Sequence, residues 1–144
     1  MRQNLKAYKK VNIESTIMSS EPHQIILMMF DGALQSLAIS KGAIERKDFE
    51  LKSQTVTKFM NIISALRNSL DFDAEPVVSK RFDDLYIYCI DVINQVSLSM
   101  DGSRIDEIIE LLKPLRNAWF EMPEASKQEG HDLLREKNKL AKGA

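Results

Sequence analysis

One cysteine, four prolines and five glycines are thinly spread through 144 residues, and no uncharged apolar run exceeds the length of Ile25–Phe30. A lone Cys89 cannot close an intramolecular disulfide or join a multi-cysteine metal site. Set within Tyr88-Cys89-Ile90, it reads as a small buried thiol. So little turn punctuation counts against β-sandwiches and barrels, which need many turns. The apolar run falls far short of the roughly 20 residues of a bilayer span, and Met1 to Glu14 is polar and basic, with no apolar targeting segment. These features give the expectation of a cytoplasmic protein without membrane insertion. Excess charge is missing too: 20 Lys and Arg face 21 Asp and Glu, a net charge of -1. Such a balance offers no general hold on a polyanion, so no nucleic-acid partner is expected. With 44% apolar and 28% charged residues, the chain has the composition of one globular domain with short arms.

Charge is placed unevenly. Met1 to Ser20 carries Arg2, Lys6, Lys9 and Lys10 against Glu14, a net of +3, and Glu124 to Ala144 carries a net of +1, which leaves -5 for the middle. Between the ends, four segments read as helices. The first starts at Pro22, preorganised for a first helical turn, and runs to about Arg46 with Ile26, Met29, Phe30, Ala33, Leu37 and Ile44 three or four apart. A second, from about Phe49 to Leu70, has Asp48 as N-cap and a stripe of Phe59, Ile62, Ile63, Leu66 and Leu70. Pro76 opens the third, which carries Phe82, Leu85, Tyr86, Cys89, Ile93, Val96 and Met100 and stops at Asp101-Gly102. In the fourth, Ser103 and Asp106 resemble a cap, the face is Ile105, Ile108, Ile109, Leu112, Leu115 and Trp119, and Pro114 predicts a kink. Long helices with short connections fold back antiparallel. The expectation is an all-α, antiparallel up-and-down four-helix bundle over residues 21–123, with an N-terminal arm (1–20) and a charged, weakly helical tail (124–144).

Chemistry finds little support. His23 and His131 stand in no metal-ligand spacing, and no Glu precedes a His by three residues as in di-iron bundles; both read as surface histidines. Asp83-Asp84 and Asp106-Glu107 are adjacent on helices, so their side chains point about 100° apart and do not converge. There is no glycine-rich phosphate loop and no nucleophile elbow. No catalytic residue, metal or cofactor is assigned. The helices do carry more apolar surface than four stripes need: Ile25, Met28 and Ile39 in the first, Tyr88 and Val92 in the third. Either the core stripe is wide, or a groove accepts a partner segment, with adaptable Met28, Met29 and Met60 fitting its ridge.

The motifs then align with a family. Glu21-Pro22-His23-Gln24-Ile25-Ile26-Leu27-Met28-Met29-Phe30-Asp31-Gly32-Ala33 resembles the Ser-Pro-x-x-Leu-Ile-x-Met-Leu-Tyr-Asp-Gly-Ala signature of the FliS flagellin export chaperones. Gly42-Ala43-Ile44-Glu45, Ile62-Ile63-x-x-Leu66-x-x-Ser69-Leu70-Asp71, Leu85-Tyr86-x-Tyr88 and Asp106-Glu107-x-x-x-Leu111-Leu112-x-x-Leu115-Arg116-x-Ala118-Trp119 follow in register, and Tyr8 stands at the family's N-terminal tyrosine. The resemblance spans roughly Tyr8 to Phe120; Phe30 for Tyr, Phe59 for a small Ala and Glu21 for Ser or Thr are departures.

The resemblance implies a cytoplasmic, non-enzymatic chaperone that binds the disordered C-terminal segment of flagellin, prevents premature polymerisation and presents the complex to the export gate. It implies partner-binding roles for Tyr8 on the arm and for Ile26, Phe30, Leu34, Ile62, Leu66, Leu85 and Tyr86, and these seven helix residues also suit an ordinary core by periodicity. A helical regulatory adaptor for an anti-sigma factor or another export component is the alternative. In this family the arm can cover the binding site, and a basic arm beside an acidic body suits that, weakly, since exposed charges are screened within about 8 Å. Removing Met1 to Ser15 is expected to change affinity for the flagellin segment. Unchanged affinity with unchanged proteolysis of the arm would count against the covering role.

Overall fold

The structure is a computed structural model that describes residues 22–122; the arm and tail assigned from sequence lie outside the described residues. Within them are four α-helices and no strand: α1 Pro22–Glu45, α2 Phe49–Asn68, α3 Pro76–Ser99 and α4 Ile105–Phe120, with a 3-10 turn at Gly102–Arg104. Met28–Ala118 forms one compact unit, and residues 22–27 and 119–122 belong to a second.

Local chemistry accounts for the boundaries. Pro22 and Pro76 occupy first turns, where a missing N–H costs nothing. At the end of α1, Lys47 takes a left-handed φ of 56°. Its N–H donates to the Ile44 carbonyl at 3.1 Å and that of Asp48 to the Ala43 carbonyl at 2.8 Å, a Schellman closure with lysine where glycine is usual. Asp48 then starts α2, its Oδ1 accepting from the Leu51 N–H at 3.1 Å. The second helix ends at Asn68 rather than Leu70 because Ser69 caps it, its hydroxyl donating to the Leu66 carbonyl at 2.6 Å.

Two sequence expectations at the α3–α4 joint are corrected. Met100, not Gly102, adopts the left-handed conformation that stops α3, with φ 55°, and among the described residues no glycine has positive φ. Asp101, not Ser103, caps the entry to α4, its Oδ1 accepting from the Ser103 N–H at 3.0 Å; its carboxylate reaches the N–H two residues on, as Asx turns do. Helix α4 continues through Pro114, where the bond to the Glu110 carbonyl is lost.

Pairs of side chains show the helices running antiparallel. Ser40 and Thr55 share a buried hydrogen bond of 2.7 Å between α1 and α2. Arg67 meets Asp83 at 2.7 Å, and Lys52 donates to the Ser97 carbonyl at 3.1 Å, between α2 and α3. Gln95 meets Arg104 and Tyr88 meets Glu107 along α3 and α4. Arg116 pairs with Asp31 at 2.7 Å, and Lys41 with Asp106 at 3.0 Å, across α4 and α1. In every case the later residue of one helix faces the earlier residue of its neighbour, which gives the up-and-down bundle expected from sequence. Exposed ion pairs contribute only about 0–1 kcal/mol each, so they mark the register more than they hold it.

The hold is apolar. Ala33 and Leu37 of α1, Phe59 and Ile63 of α2, Cys89, Val92 and Ile93 of α3, and Ile105, Ile108 and Leu112 of α4 are almost completely buried. Each large side chain so removed from water contributes about 1.5–3 kcal/mol. A Cβ at Gly32 would stand 3.3 Å from Ile62 Cδ1, so the missing side chain lets α1 approach α2 closely. By length and composition α1 could cross a membrane, but its Leu37, Ala33 and Ser40 are buried and its Asp31 and Lys41 are ion-paired to α4, as suits a core helix. Phe59→Ala is expected to cost about 3–5 kcal/mol of unfolding free energy, read by denaturant titration, because the largest fully buried side chain leaves a cavity there.

Candidate partner-binding surface

Arg67 at the end of α2 binds Asp83, eighth residue of α3. That register leaves the start of α3 projecting past the end of α2, with Val77 65% and Val78 46% exposed. Between this stretch and α4 lies an open groove of about 340 Å³, lined by Val78, Arg81, Phe82 and Leu85 of α3 and Leu115 of α4. The preceding loop is firmly built. Asp71 Oδ1 accepts from the Asp73 and Ala74 N–H groups at 3.1 and 3.0 Å, and the buried Ser79 hydroxyl donates to the Asp71 carbonyl at 2.9 Å. Phe72 stands exposed on that loop. The result is an apolar opening on a rigid frame, suited to receiving side chains from another chain.

The residues assigned to partner binding from sequence separate by burial. Phe30, Leu66 and Tyr86 are only 3%, 1% and 3% exposed. They belong to the core, because each lies mid-stripe where neighbouring helices cover it. Burial pushes the Tyr86 hydroxyl up to about 12 and the Cys89 thiol up to about 11, so both stay neutral at physiological pH. Leu34, Ile62 and Leu85 are half-buried and within reach of a partner, as is Ile26 in the smaller unit. Leu85 alone of the eight lines the groove. Tyr8 falls outside the described residues. The groove residues overlooked from sequence are Val78 and Arg81, while Phe82 and Leu115 had been placed in core stripes. The doublet Val77-Val78 directly after Pro76 was the available signal: two branched apolar residues in a first helical turn, before a packing partner begins.

Other expectations also change. His23 is buried rather than on the surface: it stacks on Trp119 with ring centroids 5.0 Å apart and planes 10° apart. Its Nε2–H donates to the Trp119 carbonyl at 2.7 Å, and Trp119 Nε1–H donates to the His23 carbonyl at 2.9 Å. Two reciprocal bonds thus tie the start of α1 to the end of α4. Tyr88, counted as surplus apolar surface, instead turns its hydroxyl to Glu107, which also receives Arg104 at 3.3 Å. The adjacent carboxylates behave as their 100° separation requires. Asp106 goes to Lys41 and Glu107 to Arg104 and Tyr88, while Asp83 goes to Arg67 and Asp84 to Lys80. Among the described residues, no three metal-binding side chains converge.

The described residues form an antiparallel helical bundle with an open groove of largely apolar lining between α3 and α4. The chain belongs to the FliS family: the family model for flagellar protein FliS matches residues 4–126. It is 36% identical to the flagellar secretion chaperone FliS of Salmonella typhimurium over 87% of this chain and 94% of that one. It is 31% identical to the chaperone of the same name from Vibrio cholerae over 85% and 90%, and 32% identical to flagellar secretion chaperone FliSB of Pseudomonas aeruginosa over 80% and 91%. The family is one of chaperones, not of enzymes.

The Tyr88 contact gives a test in solution. The hydroxyl donating to Glu107, with Arg104 beside it, holds the Glu107 carboxyl below its usual range, and the same bond raises the Tyr88 hydroxyl. A depressed carboxyl stabilises the fold above its ordinary pKa and loses that contribution as pH falls through the folded value. Tyr88→Phe is therefore expected to move the Glu107 titration upward, followed by carboxyl-carbon NMR, and to reduce stability at neutral pH more than below the carboxylate range.

Proposed function

We propose that this chain is a cytoplasmic, flagellin-specific export chaperone that binds the disordered C-terminal segment of flagellin. The observation that carries the reading is an open apolar groove on a member of the FliS family. The chaperone holds the segment away from other subunits, which prevents premature polymerisation, and delivers it as a complex to the flagellar type III export gate.

The physical chemistry suits that task. A disordered segment surrenders conformational entropy on binding, so it can cover a wide surface and still be released without a nucleotide-driven step. Half-buried Leu34, Ile62 and Leu85 and the groove side chains Val78, Phe82 and Leu115 supply apolar surface that remains accessible after the bundle has formed. The almost completely buried side chains of the core form a separate set from these.

Calorimetric titration of the full chain with the C-terminal segment of its own cell's flagellin is expected to give saturable one-to-one binding with a negative heat-capacity change. Val78→Asp, at a site 46% exposed, is expected to weaken that binding by about tenfold or more while the thermal melt stays close to wild type. Silence from the folded wild-type protein would favour the regulatory adaptor, which copurification with an anti-sigma factor would reveal.

A further inference from the structure

One cation lines the α3–α4 groove. Arg81 stands exposed between Val78 and Phe82, and no hydrogen bond or ion pair engages its guanidinium among the described residues. Three other arginines of the bundle are occupied: Arg67 by Asp83 at 2.7 Å, Arg104 by Glu107 at 3.3 Å and Arg116 by Asp31 at 2.7 Å. The carboxylates nearest Arg81 in sequence are also taken, Asp83 by Arg67 and Asp84 by Lys80 at 3.4 Å. The bundle therefore leaves an unpaired positive charge at the edge of an otherwise apolar opening.

We propose that Arg81 receives an aspartate or glutamate side chain of the segment that fills the groove. The proposal rests on the flagellin reading and adds to it a recognition rule: apolar side chains settle on Val78, Phe82, Leu85 and Leu115 while a carboxylate meets Arg81. A guanidinium is weakly hydrated and presents a planar fork matched to a carboxylate, and it pairs more strongly once an apolar partner has displaced the surrounding water. A chain-terminal carboxylate is the poorer match. Terminal groups are usually gathered by several backbone N–H groups, and Arg81, Phe82 and Leu85 lie inside α3, where those groups are held by the helix.

The test uses the full chain and the flagellin C-terminal segment, titrated at low and high salt. Arg81→Gln is expected to weaken binding about ten- to a hundredfold at low salt and to flatten the salt dependence, with Arg81→Lys in between. One Asp→Asn or Glu→Gln substitution in the segment should reproduce the loss and add nothing to Arg81→Gln, whereas amidating the segment's C-terminus should have no effect. Wild-type binding that Arg81→Gln leaves unchanged, a loss that salt does not modulate, or a loss caused by the terminal amide would overturn the carboxylate pairing alone. Failure of the wild-type protein to bind would overturn the flagellin reading and the pairing with it. Should Arg81→Gln fail to match the wild-type circular dichroism, the substitutions in the segment decide the matter on unaltered protein.

Discussion

Everything in this bundle depends on the burial of the middle of α3. Tyr86, Cys89, Val92, Ile93 and Val96 are shielded almost completely, and the polar pairs along α3 point to α2 on one side and α4 on the other. A helix buried over that breadth cannot turn without exposing apolar surface, so its orientation dictates what its first turns display. The groove follows. On the flank facing α4, Phe82 and Leu85 of the same stripe and the preceding Val78 line the groove together with Leu115.

Much of the fold was legible because helical periodicity and caps agree. Prolines at 22 and 76 and the cap at Asp48 were read directly, and the centre of every stripe was correctly placed in the core. The errors gather at helix ends. Phe82 and Leu115 obey the same spacing as Tyr86 and Leu112, yet they lie half open, since periodicity reports a face but not how far the neighbouring helix extends. Phe30, Leu66 and Tyr86 show the converse: their spacing suits groove or core alike, and only their burial places them in the core. Nor could spacing show that His23 and Trp119, 96 positions apart, would seek each other's carbonyls. Gly102 attracted the helix stop on propensity, whereas the geometry of the joint placed the left-handed residue at Met100.

Burial and exposure are therefore divided along the length of one helix. From Tyr86 to Val96, α3 buries Tyr86, Cys89, Val92, Ile93 and Val96; from Val77 to Leu85 it exposes Val77 and Val78 and lines the groove. Among the described residues Arg67, Arg104 and Arg116 are ion-paired, whereas Arg81 at the groove is in no ion pair.

The joint between α1 and α2 carries a separate implication. Asp48 closes one helix and starts the next, so the chain reverses within three residues, Arg46 to Asp48. Bringing together the ends of so short a loop demands little entropy. During synthesis this hairpin can pair as soon as α2 has left the ribosome, with Ser40 and Thr55 fixing its alignment before α3 arrives.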